Sequence, residues 1–554
     1  MLPKKDELLI LPLGGLEQIG ANCTMIGTNK EWIIVDLGIA FYDSLGIEVL
    51  TPDISFPLSV LDNISGLFIT HAHEDHIGAI QHLWPQLKCP IYVTEFPAAV
   101  LRQKLKEYPW GDQVPLKTVS IKNPVKLKNF TIEYVSLSHS ILGACGLYIK
   151  TNAGTVFHTG DWKVDESPLL GDKSDEKRLE EIGREGVDCL LCDSTNILDY
   201  DDNAGSEADV REALTRIVSQ YKSKRITVTC FASNIARMET VFHVARKAGR
   251  KISVVGKSMF KMISAVSDTS YLSKDFKAGI ASIVTDEEAV SMPPSKVLFI
   301  CTGSQGEARS ALFRLARGEN RVIKLGKQDV VLFSSKVIPG NELYIRDMQN
   351  LLTRNGVEIV TTATEDDMHV SGHPSKGDLS MMYNWLNPKS MMPVHGDSVM
   401  LYAHQKFARE NGISETLVAE SGDIISVAGG HLQKVGKIDV TFNALDGRSL
   451  IPITSKIITD RTIMSQNGSI SVSFVLSADD RLINAPDVAI SGVHIEKGQF
   501  QKLNTMIFQL VNNEISKYSG DFDRIKKECT IAIKKLMTRH YEKKPMVFIH
   551  IHKV

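Results

Sequence analysis

Long apolar runs are missing from this chain. No stretch approaches the roughly 20 apolar residues needed to cross a bilayer, so no membrane span is expected. The start, "MLPKKDELLILPLGG", has a basic pair but only a short apolar run, broken by Pro12 and without a small-residue cleavage site. A cytoplasmic protein is expected. Cysteine is sparse, eight in 554 residues, too few for a disulfide framework. Cys189 and Cys192 form one CxxC in "VDCLLCDSTN", with no second pair nearby. That segment reads as a buried strand, where residues three apart face opposite sides, so both are expected to fill apolar space. Net charge is nearly absent too, at −2, and any basic footprint for a nucleic acid must be local. There are no repeats and no low-complexity tract. What is present is ordinary globular composition, 43% hydrophobic and 23% charged, enough for two to four domains with cores.

The first two hundred residues alternate short β-rich runs with turns and a few helices. "ELLILPLGG", "EWIIVDLG", "GLFITHA", "FTIEYVSLSH", "TVFHTGD" and "CLLCDSTN" are strand-like, and several end in Asp, His or Gly. Polar groups at strand ends are how α/β folds build sites on their loops. From Ser206 to Asp366 strands and helices alternate, which predicts a parallel-sheet domain inserted into the first. "SEADVREALTRIVSQY" reads as a helix with a Ser-x-x-Asp start, and "SNIARMETVFHVARKAG" as one with Ser233 at its cap and Gly249 past its end. His-rich strand ends then return in "DDMHVSGHPS" and "MMPVHGDS". The expected division is 1–205, 206–366 inserted, 367–446 completing the first domain, 447–460 a linker and 461–554 a terminal domain. That last domain pairs short strands with an amphipathic helix rich in Lys and Arg, from Arg524 to Lys544. The cations suit a solvated face, or a surface for RNA or for an oligomer contact.

The chemistry is concentrated in "LFITHAHEDHIGAI", where His71, His73, Asp75 and His76 stand as H-x-H-x-D-H. Two histidines two apart, leaving a strand, can share one ion, and the adjacent Asp75 and His76 can turn toward a second. Neutral imidazole with carboxylate suits Zn²⁺, with Mn²⁺ the competitor. Further ligands stand at later strand ends: His139, Asp161, chosen as the bridge between two ions, and His395. Asp36 ends "WIIVD" and suits orienting ligands from behind. His158 is expected to be structural and Glu74 an exposed spacer or a group behind the ligands. Two ions activate a water and clamp an in-line displacement. That fits a phosphodiester, a lactam or a thioester, and the metals alone do not choose.

H-x-H-x-D-H, a later His, "HTGD" and "PVHG" resemble the metallo-β-lactamase fold, and the region after Asp193 resembles the β-CASP insertion of nucleases. With "GGLEQIGAN", "FASNIARMET", "VVGKSM", "CTGSQGE" and "SSKVIPGNE", the chain is similar almost end to end to the ribonuclease J family. The resemblance implies an αββα sandwich, an inserted α/β β-CASP domain and a small α+β terminal domain. It implies a 5′-to-3′ exoribonuclease preferring 5′-monophosphate RNA, with endonuclease activity, in mRNA turnover and rRNA maturation. It assigns one divalent ion to His71, His73, His139 and Asp161, and another to Asp75, His76, Asp161 and His395, with Zn²⁺ expected and Mn²⁺ or Mg²⁺ as alternatives. It makes His369 the group beside the scissile phosphate, the proton donor or charge stabiliser for the leaving 3′ oxygen, Asp193 the support of a ligand histidine, and Ser233, Ser371 and His373 the 5′-phosphate pocket. Homodimers or homotetramers, and association with other RNA-decay proteins or the ribosome, are implied as well. After His139 the family often has Ile-Pro and an acid; this chain has "HSILGACG". The other readings are a small-molecule metallohydrolase, which would not need the insertion, and a non-catalytic RNA-binding subunit, which would lack ligands that are all present here.

Overall fold

The computed structural model describes residues 2–199, 205–338 and 340–554, which divide into two compact units. The larger comprises residues 1–41 and 51–440. It contains two facing sheets. One has eight strands, in the order His431–Lys437, Asp423–Ala428, Leu8–Gly14, Cys23–Thr28, Glu31–Val35, Ile64–Phe68, Ile91–Val93 and Leu116–Thr118. The other has seven, in the order Val125–Lys126, Thr131–Ser136, Cys145–Thr151, Gly154–His158, Cys189–Asp193, Ser390–Val394 and Glu415–Thr416. The period-two alternation of each strand divides its side chains between two cores. Leu8, Ile10, Ile26, Ile33, Phe68, Tyr134, Leu147 and Leu191 pack between the sheets. Tyr148, Phe157, Leu190 and Met391 pack outward against Leu179 and Ile182 of helix Glu176–Glu185 and Leu379 of helix Lys376–Leu386. Cys189 belongs to the inner core and Cys192 to the outer one, the opposed pair expected of a buried strand. All eight cysteines are buried and free.

Between Asp193 and His369 lies the inserted domain, an all-parallel sheet ordered Lys251–Val255, Val297–Cys301, Arg225–Thr229, Asp329–Phe333 and Glu358–Val360. Helix Glu207–Gln220 opens it with the capping box read from the sequence: the Ser206 hydroxyl and the Asp209 carboxylate each accept from the other's end of the turn. Helix Ile235–Lys247 differs by one position. Its cap is Asn234, whose side chain accepts from the Arg237 N–H, and Ser233 lies one residue outside. Asn and Ser are equally good caps, so the residue types could not separate them. After the insertion the chain returns through Ser390–Val394, which runs parallel to Cys189–Asp193 and sets Val394 opposite Asp193.

The second unit comprises residues 42–50 and 441–554. The early hairpin, strands Ala40–Ser44 and Ile47–Pro52, joins Phe442–Asp446 and Ser449–Pro452 in a four-stranded sheet. The expected linker, 447–460, therefore differs from what is found. It holds the returning strand of a hairpin, with Asp446 paired to Ser449, and the start of helix Lys456–Asn467. Gly447 sits at φ +62° in its turn, and "DG" between short apolar runs is a hairpin signal that the linker reading passed over. A three-stranded sheet, Asp487–Ser491, Ser469–Leu476 and Met546–Lys553, packs on helices Gln499–Lys517 and Phe522–Tyr541 around Ile470, Phe474, Ile507 and Ile533. Among the described residues no helix is long and apolar enough to cross a membrane.

Candidate metal centre

Strand Ile64–Phe68 leads directly into His71 and His73, and His73 caps the short helix Glu74–Ile77 that carries Asp75 and His76. Asp161 follows strand Gly154–His158, and Asp193 and His395 stand at or just past the ends of the paired strands Cys189–Asp193 and Ser390–Val394. All these strand ends meet. The donor atoms of His71, His73, His139 and Asp161 lie within 4.8 Å of one another, and so do those of Asp75, His76, Asp161 and His395. A third group shares Asp161 and His395 and adds Asp193 and His373. The seven ligands read from the sequence are thus brought together, with Asp161 common to both of their groups. His158 stays outside all three groups, its Nδ1 accepting from the Gly160 N–H, and Glu74 pairs with Lys104.

Four of the ligand rings are aimed by a bond to the other nitrogen, which also selects the tautomer. His71 Nδ1–H donates to Thr70 Oγ1 at 3.0 Å, and His76 Nδ1–H to Asp36 Oδ2 at 2.7 Å. The Thr70 hydroxyl donates in turn to the same Asp36 carboxylate, so one carboxylate stands behind both rings. His139 Nδ1–H donates to the Gly372 carbonyl at 2.5 Å. His395 Nδ1–H donates to Thr195 Oγ1 at 2.8 Å, and Thr195 passes the bond on to Asp193 Oδ1 at 2.7 Å. These four rings therefore present Nε2 to the centre, whereas His73 presents Nδ1, 3.1 Å from His71 Nε2 and 3.0 Å from His139 Nε2. Asp36 and His395 both hold left-handed backbone, at φ +60° and +55°, a strain concentrated where the side chains are used. The loop after His139, which has no proline, is pinned by burial of Ile141 and Leu142, each 4% exposed.

The donor set fits a divalent cation. Burial and neighbouring imidazoles hold His71 and His139 well below the usual histidine range, and burial brings His73 down to about 4, so three lone pairs converge on one point. Burial opposes charge on His76 and His395 as well, but the carboxylates around them, Asp161 foremost, outweigh it and hold both well above that range. Asp161 is 2% exposed and its Oδ1 makes no hydrogen bond, though His76 Nε2 is 3.2 Å away. An orphaned buried carboxylate oxygen facing a knot of imidazoles is costly unless a cation lies among them.

The remaining expected residues lie around these donor groups. His373, expected in a phosphate pocket, donates from Nδ1 to Asp193 Oδ2 at 2.8 Å and lies 3.9 Å from Asp161. His369, expected beside the scissile phosphate, belongs to none of the three donor groups. Its Nδ1 is buried without a partner, and burial together with the positive charges of Arg237, Lys163 and Lys336 holds it well below the usual range. The two histidines of "HVSGH" are four apart, and their types alone could not rank them. Ser371 accepts from Asn196 Nδ2 at 2.7 Å, and the same amide group donates to the His373 carbonyl. Thr70, Thr195 and Asn196 were missed by the sequence reading, although Thr70 adjoins His71 and the other two stand two and three positions after Asp193.

A β-lactamase superfamily domain matches residues 31–227, the ribonuclease J β-CASP domain 223–352, an RNA specificity domain of zinc-dependent metallo-hydrolases 359–418, and the ribonuclease J C-terminal domain 456–554. A ribonuclease J of Sinorhizobium meliloti is 33% identical over 563 residues, covering 100% of this chain and 98% of its own. The chain belongs to the ribonuclease J family. Ribonuclease J of Corynebacterium glutamicum is 33% identical over 98% of this chain and 75% of its own length, and ribonuclease J2 of Bacillus subtilis 29% over 98% of both. A crystal structure of a protein of unknown function from Enterococcus faecalis aligns with TM-score 0.55 at 15% identity, over 76% of this chain and 100% of that one, and shares the fold. As a ribonuclease J family member the chain is a metal-dependent ribonuclease, an RNA phosphodiester hydrolase, and its His and Asp cluster suits a divalent metal.

Proposed function

We propose that this ribonuclease degrades single-stranded RNA from the 5′ end, prefers a 5′-monophosphate and also cuts internally, in mRNA turnover and rRNA maturation in the cytoplasm. The observation that carries the catalytic half of this reading is the pair of donor groups joined at Asp161. His71, His73 and His139 would hold one Zn²⁺ with Asp161, and Asp75, His76 and His395 a second with the same carboxylate; Mn²⁺ or Mg²⁺ are the alternatives. Two such ions supply a water of lowered pKa and a clamp on the oxygens of an in-line displacement. The chain's own residues do the rest. Asp36 and Thr70 keep His76 and His71 turned inward, and Asp193 does the same for His395 through Thr195.

The contacts favour exchanging two roles. His373, held by Asp193 against the shared carboxylate, is the better donor of a proton to the leaving 3′ oxygen. His369, with an unpartnered buried nitrogen beside Arg237, Lys163 and Lys336, is the better contact for a 5′-phosphate, together with Ser371 and Ser233. Eight free buried thiols suit a reducing compartment. A homodimer or homotetramer is the assembly proposed, checked by mass in solution, and any partners among RNA-decay proteins or on the ribosome would be found by co-purification. The test of the reaction is a long 5′-labelled RNA bearing a 5′-monophosphate, hydroxyl or triphosphate. Mononucleotides released fastest from the monophosphate are expected; equal rates on all three would remove the end pocket, and only internal fragments would remove the exonuclease.

A further inference from the structure

The terminal unit holds charge that the metal centre does not use. Residues 441–554 carry 16 Lys and Arg against 11 Asp and Glu, a net of +5 in a chain whose net charge is −2. Much of it sits on helix Phe522–Tyr541. Ile525, Cys529, Ile533 and Met537 are fully buried at i, i+4 spacing and fix the inward face. At about 100° per residue the outward face then carries Lys527, Ile531, Lys534, Lys535 and Thr538, with Arg539 at its edge. Lys527, Lys535 and Arg539 are exposed and Lys534 half-buried. Among the described residues none of these four cations is in an ion pair, although Glu528 and Glu542 lie on the same side. Elsewhere in this unit Lys517 pairs with Glu514 and Lys553 with Asp480.

The arrangement has a cost. Lys535 and Arg539 are like charges at i, i+4, a pairing that destabilises a helix. A polyanion lying along the face would relieve that repulsion. A second copy meeting it across a two-fold axis would set the same cations against each other, which argues against self-association here. Ile531, 37% exposed among the cations, adds an apolar contact for a ribose or a base. We propose that the outward face of helix Phe522–Tyr541 is a second RNA-binding surface, which holds the phosphodiester backbone of single-stranded RNA without regard to sequence. The inference rests on the family's action on RNA and is independent of the end preference proposed above.

The test compares the full-length protein with the Lys527→Gln, Lys534→Gln, Lys535→Gln, Arg539→Gln variant, glutamine being a comparably good helix former. Binding of a long unstructured RNA with a nuclease-resistant backbone is measured as salt is raised. Losing four phosphate contacts should flatten the slope of log K against log salt by about 3, so the wild type loses roughly 50-fold more affinity than the variant between about 50 and 200 mM. Turnover of a dinucleotide should be unchanged. Equal slopes and affinities would overturn the proposal, as would a change in the protein's mass in solution with RNA binding unaltered, the sign of a contact between copies. If the quadruple variant does not fold, the pairs Lys534→Gln with Lys535→Gln and Lys527→Gln with Arg539→Gln should each flatten the slope by about half as much.

Discussion

Asp161 is the one side chain common to all three donor groups, so its loss is the strongest single perturbation of the centre. Asp161→Ala is expected to purify without bound metal and without RNA cleavage, which elemental analysis and a cleavage assay check together. The paired histidines separate more finely. His373→Ala should keep its metal and lose roughly 10²–10⁴-fold in kcat on any RNA, the usual range for a general acid. His369→Ala should instead keep turnover of 5′-hydroxyl RNA and lose the preference for a monophosphate; the opposite pattern would return each residue to the other's role. A quieter residue, His404, lies behind the centre. Tyr383 donates to its Nε2 at 2.6 Å, its Nδ1–H reaches Ser194 Oγ at 2.8 Å, and Ser194 donates to the Val394 carbonyl just before His395. Burial, against the pull of Asp193, brings His404 down to about 4. The unfolded state therefore binds this proton first, and the stability that neutral His404 contributes is complete above about pH 6.5 and lost as pH falls toward 4. Denaturation across that window should show about 3 kcal/mol of pH dependence in the wild type that His404→Gln lacks.

At the scale of elements, "HVSGH" shows why some roles were legible in the sequence and others not. The donors themselves could be read because ligand types cluster at strand ends, and strands announce themselves by β-branched alternation. What aims those donors could not, because Thr70, Thr195 and the Gly372 carbonyl act through single hydrogen bonds that leave no spacing pattern. Gly372 is a case in point. A Cβ there would stand 2.8 Å from Ser140 Oγ and 2.9 Å from His139 Cε1. Gly372→Ala should displace the His139 ring and weaken metal binding about 10–100-fold, the scale of loss for a support behind a ligand, as metal titration would report. The misplaced cap at Ser233 and the hairpin taken for a linker at 447–460 failed for a different reason. The cap is a choice between two adjacent residues that tertiary packing settles, whereas the hairpin is a two-residue "DG" turn between strands too short to stand out by alternation.

At the scale of the whole molecule, strand and helix alternation was enough to separate an inserted parallel sheet from its host. It was not enough to show that residues 42–50 pair with strands four hundred residues later. Pairing at such separation depends on packing that no local window contains. The same long reach ties metal to stability. Since the donors converge only in the folded chain, bound metal adds to stability by mass action, about 2.7 kcal/mol at a hundredfold excess over its Kd. Chelation should therefore lower the Tm of the wild type, and leave that of Asp161→Ala unmoved, in a thermal melt.

The parallel pairing of Cys189–Asp193 with Ser390–Val394 also sets a clock. His395 is separated from Asp75 by 320 positions, with the inserted sheet made in between. At about 5–20 residues per second, a ribosome that has delivered the first ligands takes roughly 15–60 seconds to deliver the last. For that interval the growing chain, still tethered to its own message, holds only part of the donor set that the folded protein brings together.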